Sequence, residues 1–176
     1  SHIDLRSDTV TCPDQAMRQA MAEAEVGDDV FCEDPTINRL QELAAQMLGK
    51  EAALYVPSGT MANQINMKVL TRPGDEVICD QYAHCFRHEG GAGAASSGLS
   101  FFPLAGEKGI LSPEQVASAI QDDNIHYPVS KVVALENTHN RGNGAVYPLE
   151  TIKAIESLAR QHGLYMHLDG ARMFHA

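Results

Sequence analysis

Short apolar runs alternate with amphipathic stretches along most of this chain, and that alternation restricts what it can fold into. Glu76–Cys79, Ser100–Leu104, Lys131–Glu136 and Leu164–Leu168 are mostly apolar and lack a polar residue at every second position. Runs of that kind predict strands buried on both faces. Ala52–Val56 reads as a further buried strand. Between the runs lie helical signals. Asp34-Pro35 reads as an N-cap with proline at the first helical position. Ile37, Leu40, Leu43, Ala44, Met47 and Leu48 then recur at helical spacing, and Gly49 stands where a terminating glycine belongs. Further helices are predicted over Met61–Leu70, through the small residues of 82–95, from the capping box Ser112-Pro113-Glu114-Gln115 to Gln121, and over Leu149–His162. Strands alternating with helices predict an α/β fold, a mostly parallel sheet with helices on both faces.

In such sheets ligands sit at the carboxyl ends of the strands. Three polar clusters fall at such ends: residues 57–60, 136–140 and 169–172. The run Asn140-Arg141-Gly142-Asn143-Gly144 reads as a mobile loop. Residues 1–13 read as an N-terminal arm, 14–49 as a helical segment and 50–176 as the sheet domain.

Thirteen basic residues against 23 acidic ones give a net charge of −10. That balance disfavours nucleic acid and anionic membranes as partners. No apolar run approaches the roughly 20 residues of a membrane span, and the first residues do not form a signal peptide. Ser1-His2 reads as a cloning remnant. Cys12, Cys32, Cys79 and Cys85 form no C-x-x-C pair, so a zinc ribbon or redox dithiol is not expected. The expected compartment is reducing and cytoplasmic. No histidine shows metal-binding spacing, so no metal is expected.

Ser58-Gly59-Thr60 lies between a predicted strand and a predicted helix. A helix start offers free N–H groups and a positive dipole end, glycine allows close approach, and hydroxyls add donors. This is an anion site by construction, although a capped helix start without a ligand has the same appearance. His167-Leu168-Asp169-Gly170-Ala171-Arg172 puts an acid and a base three residues apart at a strand end. A carboxylate there needs a partner. A protonated pyridine nitrogen fits Asp169, an amino acid carboxylate fits Arg172, and an ion pair between the two is the alternative. His84, His126 and His139 are candidates for stacking or proton transfer near neutral pH. A phosphate cradle, an acid for a ring nitrogen and a base for a carboxylate together point to pyridoxal 5'-phosphate (PLP) and an amino acid.

These residues also carry a resemblance. Leu5-Arg6-Ser7-Asp8-Thr9-Val10-Thr11, Gly27-Asp28-Asp29-Val30, Pro57-Ser58-Gly59-Thr60-Met61-Ala62-Asn63, Glu136-Asn137-Thr138-His139-Asn140 and the final His167–Arg172 run resemble the low-specificity L-threonine aldolases. These are PLP enzymes of the aspartate aminotransferase fold, fold type I. The resemblance implies that the chain is the N-terminal part of the PLP-binding large domain. It implies Ser58, Gly59 and Thr60 at the phosphate, His84 stacked on the pyridine ring and Asp169 on the ring nitrogen. It further implies Ser7 and Arg172 at the substrate carboxylate and His126 near the substrate hydroxyl. Glu89 falls in the family's His…Glu-Gly segment. The implied reaction is retro-aldol cleavage of L-threonine or L-allo-threonine to glycine and acetaldehyde, with His84, His126 and Asp169 as catalytic residues. A homodimer or homotetramer is expected.

The chain departs from the family pattern at Cys12, which replaces a basic residue, and at Arg141–Val146, which is longer than the usual turn. None of Lys50, Lys68, Lys108, Lys131 and Lys153 matches the family's cofactor-bearing lysine. The expectation is therefore roughly the N-terminal half of a longer enzyme, inactive by itself, whose remainder supplies that lysine, the rest of the sheet and a small C-terminal domain. Alternatives are another fold-type-I lyase acting on a β-hydroxy amino acid such as phenylserine, or a non-catalytic PLP-binding fragment. A nucleotide-binding α/β domain lacks motif support, since neither G-x-G-x-x-G nor G-x-x-x-x-G-K occurs.

Overall fold

A computed structural model describes residues 3–176; the Ser1-His2 reading lies outside the described residues. The chain divides into a unit ending at Tyr55 and a unit spanning Val56–Ala176.

The first unit holds helices α1 (Gln15–Glu23) and α2 (Pro35–Leu48). Both begin on aspartate caps. Asp14 accepts from the Met17 N–H, and Asp34 accepts from the N–H groups of Ile37 (2.8 Å) and Gly27 (3.1 Å). α2 has proline in its first turn and ends at Gly49 in the left-handed region, φ 60°. Its apolar stripe, including Leu40, Leu43 and Met47, stays exposed in the single chain.

The second unit is built on a four-stranded parallel sheet, in the order β2-β1-β3-β4. The strands are β1 (Glu76–Asp80), β2 (Ser100–Leu104), β3 (Ser130–Glu136) and β4 (Tyr165–Asp169). Helices α3 (Gly59–Leu70), α4 (His84–Arg87), α5 (Ala92–Ser97), α6 (Pro113–Ala119) and α7 (Leu149–Gln161) complete it. Alternate strand residues enter two separate cores. Ile78, Val133 and Leu135 pack with Val116 of α6 and with Ile155 and Ala159 of α7. Val77, Cys79, Val132 and Ala134 pack with Met67 of α3 and with Cys85 and Leu99. Ile78 and Val133 are wholly buried, and burying a side chain of that size stabilises by about 1.5–3 kcal/mol. The expected α/β class, parallel and covered on both faces, is what the unit forms. Among the described residues no helix is long and apolar enough to cross a membrane.

Two expectations need correction. Ala52–Val56 is not a strand, and Leu54 and Tyr55 are exposed. The Tyr55 N–H bonds instead to Oε1 of Gln41, and none of the four sheet strands pairs with this segment. The 82–95 stretch is not one helix. Gly90 and Gly91 take φ values of 62° and 74° and split it into α4 and α5. The 140–144 loop is tied at both ends. His139 and Ala145 form an antiparallel bridge, and the Asn140 N–H donates to Oε1 of Glu136 at 2.9 Å.

Candidate active site

Three strands end in a carboxylate: Asp80 on β1, Glu136 on β3 and Asp169 on β4. Two of them serve as a foundation. Glu136 accepts from the backbone N–H of His84 at 2.8 Å and from that of Asn140, which fixes the start of α4 and of the following loop. Asp80 accepts from the N–H groups of Tyr82 (2.8 Å) and Gly106 (3.0 Å). Its Oδ1 also lies 3.2 Å from Nε2 of the buried His139. Burial favours the protonated acid, but His139 and the two backbone donors overcome it and hold Asp80 below the ordinary carboxylate range. Burial likewise opposes a charged His139, and Asp80 and Glu136 outweigh it, placing the imidazole above its usual value. Nδ1 of the neutral ring accepts from the Gly142 N–H at 3.0 Å.

Asp169 is half-buried and belongs to a second, more accessible cluster. Its Oδ2 accepts from Nδ2 of Asn63 at 2.8 Å, and its Oδ1 accepts from the Ala171 N–H at 3.2 Å. The same Asn63 nitrogen donates to Oε1 of Glu89 at 2.7 Å, while Nε2 of Gln64 donates to Oε2 of Glu89 at 2.6 Å. Glu89 Oε1 also lies 2.9 Å from Nδ1 of His84. The Glu89 side chain is fully buried, whereas that of His84 is 36% exposed. A carboxylate accepts here, so Nδ1 of His84 donates to it, and in the neutral ring Nε2 is the acceptor. His167, two residues before Asp169 on β4, places Nε2 2.9 Å from Oδ1 of Asn63.

The expected site residues are placed as follows. His84 and Asp169 are brought together: their ligating atoms and that of Glu89 lie within 4.8 Å of one another. Ser58, Gly59 and Thr60 are exposed at the start of α3, the helix that also supplies Asn63. Ser58 caps that helix by accepting from the Met61 N–H at 3.1 Å. A Cβ added to Gly59 would meet nothing within 4 Å, so the turn is open above its glycine. Arg172 is half-buried just beyond Asp169, at the start of the turn Met173–His175. Ser7 belongs to the first unit, where its hydroxyl caps the turn Asp8–Val10. His126 is exposed in the turn that leads into the amino end of β3, and its N–H donates to Asn124. The structure does not bring it to the carboxyl-end cluster. Asn63 and His167 are site residues that the sequence reading missed.

A half-buried acceptor-only carboxylate suits a protonated ring nitrogen, and an open glycine turn at a helix start suits a phosphate. The donor set therefore fits PLP. The atoms of His84, Glu89 and Asp169 could also gather round a cation, but hydrogen bonds among themselves and from Asn63 already engage them. Lys68 donates to the Ser96 carbonyl, Lys153 to Glu150, and Lys131 lies over the Tyr165 ring.

The β-eliminating lyase family matches residues 4–176. The low specificity L-threonine aldolase of Escherichia coli K12 is 45% identical over 175 residues, covering 99% of this chain and 52% of that protein. The low-specificity L-threonine aldolase 1 of Arabidopsis thaliana is 43% identical over 178 residues, covering 99% and 50%. The solved threonine aldolase of Leishmania major superposes with a TM-score of 0.76 at 27% identity, covering 90% of this chain and 45% of that one. The chain thus spans about half the length of these relatives.

Proposed function

Because the chain belongs to the β-eliminating lyase family, we propose that the protein it comes from is a PLP-dependent aldehyde-lyase. Its reaction is cleavage of L-threonine and L-allo-threonine to glycine and acetaldehyde. The observation that carries this reading is Asp169, held at the end of β4 by Asn63 and Ala171 within one cluster with His84. The threonine aldolase relatives support the substrate.

Ser58, Gly59 and Thr60 would hold the phosphate, His84 would lie against the ring and Asp169 would accept from the ring nitrogen. Bound there, PLP supplies the electron sink for breaking a carbon–carbon bond beside an amino group. Arg172 grips the substrate carboxylate with a planar pair of donors and so sets the angle of the bond to be broken. Nε2 of His84 takes the proton from the β-hydroxyl, because Glu89 already occupies Nδ1. Ser7 and His126 are assigned to the substrate on the motif resemblance alone. The exposed α2 stripe supports assembly as a homodimer or homotetramer, and four free thiols support a cytoplasmic setting.

The test is fluorescence titration of the complete protein with PLP, followed by assay of acetaldehyde and glycine from threonine and of benzaldehyde from phenylserine. Saturable binding, faster turnover of threonine and loss of both in Asp169→Ala are expected. Full activity in Asp169→Ala would sink the assignment, and faster release of benzaldehyde would move the substrate to phenylserine.

A further inference from the structure

Asn63 occupies an unusual position for a polar side chain. On α3 it shares one face with Met67 and Leu70, at i, i+4 and i+7, and both of those enter the apolar core beneath the sheet face. Asn63 is itself only 4% exposed. A polar group there survives by being hydrogen-bonded, and every polar atom of the amide has a partner. Nδ2 donates to Glu89 at 2.7 Å and to Asp169 at 2.8 Å, and Oδ1 faces Nε2 of His167 at 2.9 Å.

The chemistry of these partners leaves one orientation. Two carboxylates demand the amide nitrogen, so the amide oxygen must face His167, and Nε2 of His167 must carry a proton. His167 is suited to that role. Burial pushes its imidazole below the ordinary range, against the opposing fields of Asp169 and Glu89, and a neutral ring can hold its one proton on Nε2. The amide is thus fixed from behind by His167 while its two N–H bonds span two acids on different elements. One acid holds His84, and the other ends β4.

We propose that Asn63, oriented by His167, is the positioning residue of the site: its single amide nitrogen sets the spacing of the Asp169 and Glu89 carboxylates. The inference rests on the cofactor reading above and extends it. Asp169 keeps its aim at the ring nitrogen because one of its oxygens is tied to Asn63. His84 keeps its place because Glu89, its partner, is tied to the same atom. Without the amide, no donor stands between the two carboxylates: Asp169 keeps only the Ala171 N–H, and Glu89 keeps only Gln64 and His84, so nothing ties one acid to the other. The loss therefore reaches the ring nitrogen and the stacking histidine together, through the two acids that Asn63 holds.

The experiment compares the complete wild-type protein with Asn63→Leu and Asn63→Ala. Three quantities are read: PLP affinity by fluorescence titration, the pH midpoint of the bound cofactor's visible absorption, and the thermal midpoint of the cofactor-free form. Expected is PLP binding about tenfold or more weaker in the variants, since a hydrogen bond to a charged group is lost. The absorption midpoint should move by about one pH unit. Asn63→Ala leaves room for a water and keeps the comparison available should Asn63→Leu not fold. A residue that merely fills space would shift the thermal midpoint and leave affinity and absorption midpoint at wild-type values; that outcome overturns the inference and leaves the cofactor reading standing. Failure of the wild type to bind PLP overturns the cofactor reading, and the inference falls with it.

Discussion

Asp80→Asn separates charge from shape at the foundation of the site. The carboxylate uses both oxygens: Oδ1 takes the Tyr82 N–H and Oδ2 takes the Gly106 N–H, with His139 Nε2 at 3.2 Å from Oδ1. An amide of the same size offers one oxygen, so one partly buried backbone N–H must face an NH2 group. Losing one bond to a charged acceptor costs about 1.5–3 kcal/mol, and the surviving bond weakens from charged to neutral. A total of about 2–4 kcal/mol follows. The pH dependence has a definite sign. Asp80 titrates below its ordinary value in the folded protein, so its ionised form contributes fully above the unfolded value of about 4. That contribution fades as pH falls through the lower folded value. Asparagine does not titrate. Urea denaturation at a series of pH values should show the full deficit of the variant near pH 7 and a narrowing deficit in acid. A deficit below about 0.5 kcal/mol at neutral pH, or one that stays constant down to about pH 3, would refute the reasoning.

A methyl group at Gly142 would run into the Lys108 carbonyl and come within 3.3 Å of His139 Nδ1, so Gly142→Ala should destabilise by about 1–3 kcal/mol; an unchanged urea midpoint would contradict the packing described. Arg172→Lys keeps the charge but loses the planar fork, so kcat/KM for threonine should fall by at least about tenfold while PLP affinity holds; loss of PLP instead would move Arg172 to the cofactor. His126 stands exposed in its own turn, so His126→Phe should shift stability by less than about 0.5 kcal/mol and leave PLP affinity unchanged. A tenfold loss of affinity in that variant would give His126 a cofactor contact that neither its motif nor its place in the structure assigns it.

Most elements were legible because their signals are local. β2 occupies the expected Ser100–Leu104, α7 begins at the expected Leu149 and ends one residue early, and the Asp34 cap and Gly49 stop bound α2 as read. Ala52–Val56 failed because a strand exists only by pairing, and apolar content does not name a partner. The ties of the 140–144 loop were hidden for a related reason. Its glycines suggest freedom, but Glu136 and His139 hold it through side chains whose reach the sequence does not display. Asn63 and His167 were missed although signals for them existed. His167 precedes Asp169 by two residues and so shares its face of the sheet, and Asn63 interrupts an otherwise apolar helical stripe. Neither signal reads as a site until β4 and α3 are known to be neighbours.

Glu136 holds the N–H groups of His84 and Asn140 on one carboxylate, and Arg141, the next residue, donates from Nε to Nε2 of His88 at 3.3 Å. Since α4 begins at His84 and His88 follows its last residue, these bonds close a ring through the end of β3, the loop and α4. The loop and the histidine turn are thus tied to each other as well as to the end of β3, so a displacement of either would have to break one of these bonds. The start of α3 at Gly59 and the turn that carries Arg172 lie outside that ring.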